Sequence, residues 1–164
     1  MLIQQIFISP GHNYVGHYGR PPGNSPLIEV SKVECVAGRG LRGDRYFDFL
    51  QDYKGQVTFF SAEVFEKLCA TFGIKDKPAG VLRRNLIVFG VDLLSLIDRE
   101  FEIQGVRFRG TQHCAPCEWM NTAFAPGTES FLADNAGLRA QILCDGPIVV
   151  GDARLSVLEA PIQT

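Results

Sequence analysis

The amino-acid sequence predicts a mostly β fold with a few short helices, and three observations support this prediction. Short runs rich in β-branched and aromatic residues recur along the chain, separated by glycine, proline or aspartate. Only one segment has a strong helical periodicity. The gaps between the strand-like runs are turn-sized, which is typical of an antiparallel barrel or sandwich rather than of repeated βαβ units.

The strands are predicted where alternating or continuous apolar runs end at turn residues. They cover residues 2–9, 27–36, 57–60, 85–89, 101–103, 106–108, 140–144, 148–150 and 154–159. Gln104 and Gly105 separate two of these runs, and glycine supplies the positive φ that a two-residue hairpin turn requires. The spacing therefore predicts a β-hairpin over residues 101–108.

One amphipathic helix is predicted between Ser61 and Gly73. Ser61 is a good N-cap, Glu63 suits the first turn, and Gly73 suits the C-terminal end. Apolar residues at helical spacing would form its buried face: Val64, Phe65, Leu68, Cys69 and Phe72. Two shorter helices are predicted as well, one that starts at Pro116 and one that precedes Asn135.

Composition limits the classes of function that the chain can have. The 164 residues include 16 Lys+Arg and 18 Asp+Glu, and the length favours a single domain over residues 1–164. The near-neutral charge argues against a nucleic-acid partner, and a hydrophobic content of 46% excludes a disordered chain. No apolar run is long enough to span a membrane, and no export signal is apparent. We therefore expect a cytoplasmic protein with no membrane partner.

The segment His-Cys-Ala-Pro-Cys-Glu-Trp, which contains Cys114 and Cys117, is the clearest candidate for chemistry. A structural zinc site, a redox pair and a single reactive thiolate are all compatible with Cys-x-x-Cys spacing, and zinc would need further ligands such as His12 and His17. If a helix starts at Pro116, Cys117 lies in its first turn, where free N–H groups stabilise a thiolate. A buried structural thiol is the alternative to this interpretation.

A second set of residues predicts an electropositive pocket. Three arginines stand among three glycines in residues 38–46, where turned backbone N–H groups bind anions, although a solvated loop is the simpler interpretation. Further arginines precede the strands predicted at 85–89 and 140–144. The candidate binding residues are Arg42, Arg45, Arg84, Asn85 and Arg139. His12 and His17 follow the first strand and are candidates for proton transfer, because histidine titrates near neutral pH.

Taken in order, these motifs resemble the MOSC domain, named for the C-terminal domain of molybdenum-cofactor sulfurase. The resemblance rests on residues 40–46, 84–86, 91–93, the hairpin 101–108, the Pro116–Cys117 step, 137–143, 146–148 and 150–152. It implies a MOSC-type β-barrel and places the family cysteine on Cys117. That cysteine is proposed to ligate molybdenum or to carry sulfur.

The resemblance also implies partners and cofactors. It implies that the chain binds the molybdenum cofactor (molybdopterin) and that basic residues hold the phosphate of this cofactor. It also implies pyridoxal phosphate binding, which is associated with the family. Bacterial members reduce N-hydroxylated substrates, so a redox or sulfurtransferase protein is an expected partner beside a small molecule. Two alternatives stay open, namely a Cys-x-x-Cys redox or zinc-binding protein and a non-catalytic module that delivers cofactor.

Overall fold

A computed structural model describes residues 1–158 and confirms a mostly β protein with few helices. The strands are β1 (Leu2–Ile8), β2 (Ile28–Val30), β3 (Lys32–Val36), β4 (Gly40–Leu41), β5 (Val57–Ser61), β6 (Leu86–Phe89), β7 (Glu100–Ile103), β8 (Val106–His113), β9 (Leu138–Ile142), β10 (Gly146–Val149), β11 (Gly151–Asp152) and β12 (Leu155–Leu158). The helices are α1 (Ala62–Phe72), α2 (Trp119–Ala123) and α3 (Thr128–Phe131), with 3-10 turns at Ala79–Leu82 and Leu94–Leu96. Glu159, the end of the last predicted strand, lies outside the described residues.

The strands form two sheets. The larger has the order β11-β1-β6-β5-β9-β8-β7-β12, with β2 also paired to β1, and the smaller has the order β10-β3-β4. Among the described strand pairs only β5 and β6 are parallel, and α1 lies in the connection between them. The predicted antiparallel architecture is thus present with a single βαβ unit in it.

The predicted MOSC-type β-barrel is not confirmed in its barrel detail. The end strands β11 and β12 are separated only by Ala153 and Arg154, yet within residues 1–158 no ladder joins them. The main sheet is therefore open. The strand predicted over 27–36 is also divided, because β2 pairs with β1 in the main sheet whereas β3 pairs with β10 and β4 in the other.

Local predictions about turns and caps are confirmed. The side chain of Ser61 accepts a hydrogen bond from the N–H of Val64, and Gly73 ends α1 with φ 66°. Gln104 and Gly105 both have positive φ, 52° and 81°, and join β7 to β8 in the predicted hairpin. These features depend on neighbouring residues only, which is why the sequence predicts them.

Two hydrophobic clusters hold the sheets and helices together. Neighbouring side chains Phe59 and Phe60 of β5 are both fully buried, one in each cluster. The first cluster contains edge-to-face contacts of Phe59 with Phe108, whose ring centroids are 5.4 Å apart. The second anchors α2 through Met120 and Phe124. The short helix that follows Cys117 is thus fixed to the core.

No helix among residues 1–158 is both long and apolar enough to cross a membrane.

Candidate functional site

A cavity of about 200 Å³ lies beside Cys117, where five parts of the chain meet. The loop after β1, the turn after β4, the end of the first 3-10 turn and the start of β9 form its walls with the segment before α2. Its lining residues are His12, Asn13, Tyr14, Val15, Arg45, Tyr46, Arg83, Arg84, Ala115, Cys117, Met120 and Arg139.

The two cysteines of the Cys-x-x-Cys segment have different environments. Cys117 is exposed and lines the cavity, whereas Cys114 is buried with 3% of its surface accessible. The backbone N–H of Cys114 donates to the carbonyl oxygen of Gly137 at 2.8 Å, which ties this segment to the start of β9. Only one of the two thiols is therefore open to small molecules.

The prediction that a helix starts at Pro116 is wrong. α2 begins at Trp119 with Glu118 as N-cap, and Cys117 precedes it with its carbonyl accepting from the N–H of Met120 at 2.9 Å. The hydrogen bond from Cys114 to Gly137 holds the start of this segment, and residues 114–117 have no regular secondary structure. Cys117 thus lies outside the first turn, and positive charge near its sulfur comes from arginine side chains.

Four arginines line the cavity, and their charges are only partly compensated. Within residues 1–158, the one ion pair that any of them forms joins Arg45 to buried Asp44, at 3.2 Å. Arg45 also donates to the carbonyl of Arg83 at 3.1 Å, which places the two guanidinium-bearing residues side by side. Burial and the charge of Arg45 lower the pKa of Arg83 to about 10. The cavity wall therefore remains cationic at neutral pH.

Arg84 is buried and bonded entirely to backbone carbonyls. Its guanidinium donates to Ala136 at 2.9 Å, to Leu82 at 3.1 Å and to Cys114 at 2.8 Å. No carboxylate in residues 1–158 forms an ion pair with it. Arg84 therefore joins three segments of the cavity wall and adds a positive charge beside the cavity.

Arg139 extends from β9 into the cavity next to the buried thiol. Burial lowers its pKa, but the Cys114 thiol and then the Tyr53 phenol raise it, so the net shift is upward. Arg139 therefore lies near the buried Cys114 thiol and also lines the cavity beside Cys117.

His12 lines the same cavity. Its ring makes an edge-to-face contact with Tyr46, with ring centroids 5.0 Å apart. Burial, and then the charge of Arg45, lower the pKa of His12 below its usual 6.5, so the ring is neutral at pH 7.

Three of the residues that sequence reasoning selected lie away from the cavity. Arg42 is exposed, with its guanidinium carbon 5.4 Å from the ring centroid of Phe47. His17 has its Nδ1 atom 2.9 Å from the carbonyl oxygen of Pro21 in the loop. Neither residue lines the cavity. The turn after β4 directs Arg45 inward and Arg42 outward, which glycine and arginine spacing alone did not distinguish.

Asn85 is the third, and its side chain is part of the buried framework. Its Oδ1 atom accepts from the N–H of Thr58 at 3.1 Å and from the hydroxyl of Thr58 at 2.9 Å. Its Nδ2 atom donates to the carbonyl of Phe7 at 3.1 Å. Asn85 thus links β1, β5 and β6 and does not face the cavity.

Sequence reasoning missed several lining residues, of which Arg83 is the most informative. It stands next to Arg84 in the sequence but adopts a left-handed backbone conformation, φ 61°, at the end of the 3-10 turn. Its guanidinium donates to the carbonyl of Gly11 at 2.6 Å and to the hydroxyl of Ser9 at 3.2 Å. The pair of adjacent arginines is visible in the sequence and could have indicated Arg83. The left-handed conformation of Arg83 is not predicted by a local motif.

The described part of the chain contains no set of ligands for the zinc site that was considered as an alternative. Residues 1–158 contain no group of three or more His, Cys, Asp or Glu side chains close enough to hold a metal ion.

His113 is a pH-sensitive support of the site. Its Nε2 atom accepts from the N–H of Ala136 at 2.9 Å, the residue whose carbonyl binds Arg84. Burial, and then the charge of Arg84, lower the pKa of His113. A depressed folded-state pKa means that the unfolded chain binds the proton more readily, so the contribution of His113 to stability is complete above pH 6.5.

We therefore expect the thermal midpoint to fall as pH decreases from 7.5 to 5, and to fall less in His113→Gln. The glutamine side-chain oxygen keeps an acceptor for Ala136 but does not titrate. His12 shifts in the same direction and is present in both proteins, so the difference between the two slopes isolates His113. Equal slopes would show that His113 does not contribute.

The fold and the cavity define a mostly β protein in which an exposed thiol lies among arginine side chains. The sequence model of the MOSC domain matches residues 29–154, and the chain belongs to the MOSC domain family. This family is linked to proteins of the molybdenum cofactor. A search of curated protein sequences gives no significant match.

Solved structures share the fold. The YUAD protein from Bacillus subtilis is 16% identical with a TM-score of 0.72, covering 94% of this chain and 93% of its own. YiiM from Geobacillus stearothermophilus is 16% identical with a TM-score of 0.68, covering 99% and 77%. YiiM from Escherichia coli is 16% identical with a TM-score of 0.66, covering 98% and 71%.

Proposed function

We propose that the cavity binds the molybdenum cofactor, with Cys117 as the protein ligand of its metal. The single observation that supports this proposal is an exposed thiol on a cavity lined by four arginines, of which only Arg45 forms an ion pair within residues 1–158. A thiolate is a soft ligand that suits molybdenum, and guanidinium groups bind phosphate oxygens through paired hydrogen bonds. The donor set present therefore fits a phosphorylated, metal-bearing cofactor.

The residues divide into binding and positioning roles. Arg45, Arg83 and Arg139 lie at the cavity and would neutralise an anionic ligand. Arg84 holds the cavity wall through its three carbonyl contacts. His12 is neutral at pH 7 and can accept a proton at a ring nitrogen inside the cavity. Arg42, His17 and Asn85 have no part in this proposal, because they lie away from the cavity.

When bound, the cofactor would supply two-electron redox or sulfur-transfer chemistry at its metal. The family resemblance makes N-hydroxylated compounds the substrates to assay, with electrons from a separate redox protein. The chain's own contribution is to hold the cofactor beside Cys117 and to surround it with fixed positive charge.

Metal analysis of cysteine variants tests the proposal. Protein is purified from a host that makes the cofactor, and molybdenum per chain is compared for the parent, Cys117→Ala and Cys69→Ala. Cys69 is a matched control because it lies on α1, partly exposed, and does not line the cavity. We expect molybdenum to be lost from Cys117→Ala only. Equal molybdenum content in all three proteins would exclude Cys117 as the ligand.

Carriage of sulfur on Cys117 is a second candidate function, and the exposure of this thiol favours it. The Cys117 thiolate would then attack the outer sulfur of a persulfide on a sulfurtransferase partner, which forms a Cys117 persulfide, breaks the partner's S–S bond and releases the partner's thiolate. Intact-mass analysis after incubation with such a partner should show the added sulfur on the parent and on Cys69→Ala. Its absence from Cys117→Ala would assign the carrier residue, and its presence there would exclude Cys117.

A further inference from the structure

A second, smaller cavity adjoins Cys117, and we call it the annex. It has a volume of about 70 Å³ and is lined by Tyr14, Val81, Leu82, Arg83, Arg84, Cys117, Trp119, Met120 and Ala123. Five of these residues also line the larger cavity, namely Tyr14, Arg83, Arg84, Cys117 and Met120. The two cavities are therefore neighbours, and Cys117 lies at their junction.

The wall of the annex is chemically different from that of the larger cavity. Val81, Leu82 and Ala123 line the annex but not the larger cavity. The rings of Tyr14 and Trp119 face each other at a centroid distance of 5.0 Å and an interplanar angle of 33°. These groups give the annex an aliphatic and aromatic surface, which favours uncharged ligand groups.

The two arginines that line the annex do not make it a polar site. The guanidinium of Arg84 makes three hydrogen bonds to backbone carbonyls, and the Nη2 atom of Arg83 donates to Gly11 and Ser9. Arginine stems are aliphatic, and the charged ends are bound to backbone and hydroxyl oxygens. The larger cavity has two further arginines, Arg45 and Arg139, so an anion finds more partners there than in the annex.

We infer that the annex is a subsite for a small aliphatic group of the molecule that binds or reacts at Cys117. Its volume is about half of the roughly 150 Å³ of an apolar cavity that binds benzene, so a group of about three carbon atoms is the best match. The larger cavity would bind the anionic part of the same molecule. This inference rests on the proposed function only in treating Cys117 as the reacting or ligating sulfur.

Reaction of Cys117 with methanethiosulfonates tests the subsite in cofactor-free protein. The Cys117 thiolate attacks the reagent sulfur, forms a mixed disulfide and releases methanesulfinate. Rates at Cys117 are read by peptide mapping for three reagents, with a methyl, a propyl and a negatively charged sulfonatoethyl group. We expect the propyl reagent to react roughly tenfold faster than the methyl reagent, from burial of two further methylene groups.

Two variants separate the annex from the larger cavity. Ala123→Leu fills the annex and should abolish the preference for propyl over methyl, while the sulfonatoethyl rate stays near that of the parent. Arg139→Gln removes a charge that lies only in the larger cavity, so it should slow the sulfonatoethyl reagent and keep the propyl preference. An unchanged propyl preference in Ala123→Leu would overturn the inference.

A second variant, which enlarges the annex, tests the inference even if Ala123→Leu does not fold. Val81→Ala removes two methyl groups from the wall and should shift the preference from the propyl to a longer pentyl reagent, and an unaltered preference would count against the subsite. The outcome is independent of the proposed function. Molybdenum retained by Cys117→Ala contradicts the cofactor proposal, whereas the reagent preference is measured without cofactor and contradicts only the subsite.

Discussion

Gly137→Ala is expected to lower the free energy of unfolding by about 4 kcal/mol or more, a large fraction of the stability of an ordinary domain. A Cβ atom at this position would lie 2.2 Å from the carbonyl oxygen of Phe59. Gly137 also has φ +102°, a conformation that L residues rarely adopt. Neither the backbone of β5 nor that of β9 can move away, because Phe59 pairs with Leu138 in the sheet.

Gly105→Ala is the matched control for this substitution. Gly105 also has a positive φ, +81°, but no atom lies within 4 Å of its added Cβ. We expect it to cost about 1–2 kcal/mol, from backbone strain alone. Urea unfolding of both variants measures the difference. If Gly137→Ala cost no more than Gly105→Ala, close approach of β5 would not be the reason for glycine at position 137.

Arg84→Met is expected to lower the free energy of unfolding by about 3 kcal/mol, because each of three buried carbonyls would lose a charged donor. Removal of a buried charge returns part of its desolvation cost, so the loss is smaller than the sum of three unpaired groups. Arg84→Lys should recover only part of the stability, since one ammonium group cannot replace the fork of donors.

Arg42→Met serves as the comparison, because Arg42 is exposed and its guanidinium carbon lies 5.4 Å from the ring centroid of Phe47. It should change the free energy of unfolding by about 0.5 kcal/mol or less. Denaturant titrations of Arg84→Met and Arg42→Met give both values. A loss below about 1 kcal/mol in Arg84→Met would mean that water reaches the carbonyls of Ala136, Leu82 and Cys114.

The sequence predicted the parts of the fold that depend on near neighbours. The cap at Ser61, the glycine end of α1 and the hairpin turn at Gln104 and Gly105 all follow from side-chain chemistry within a few residues. The closed barrel depended on a relation between distant strands, and within residues 1–158 the main sheet is open. Asn85 shows the same limit, because its partner Phe7 is 78 residues away.

The candidate site was predictable in residue type more than in residue position. Cys117, Arg45 and Arg139 line the cavity, whereas Arg42 does not. Arg83 was missed because its place depends on a left-handed conformation at the end of a 3-10 turn. Alternation in a strand is readable from sequence, but the direction of a side chain in an irregular turn depends on the chain around it.

The three carbonyl contacts of Arg84 have a consequence for any ligand that enters beside Cys117. They link the end of the 3-10 turn, the approach to β9 and the cysteine segment through groups of this chain alone. The wall of the cavity is thus preorganised, and the protein loses little conformational entropy when a ligand binds. Empty and loaded forms should superpose closely in these three segments, and diffusion rather than rearrangement should control the rate of association.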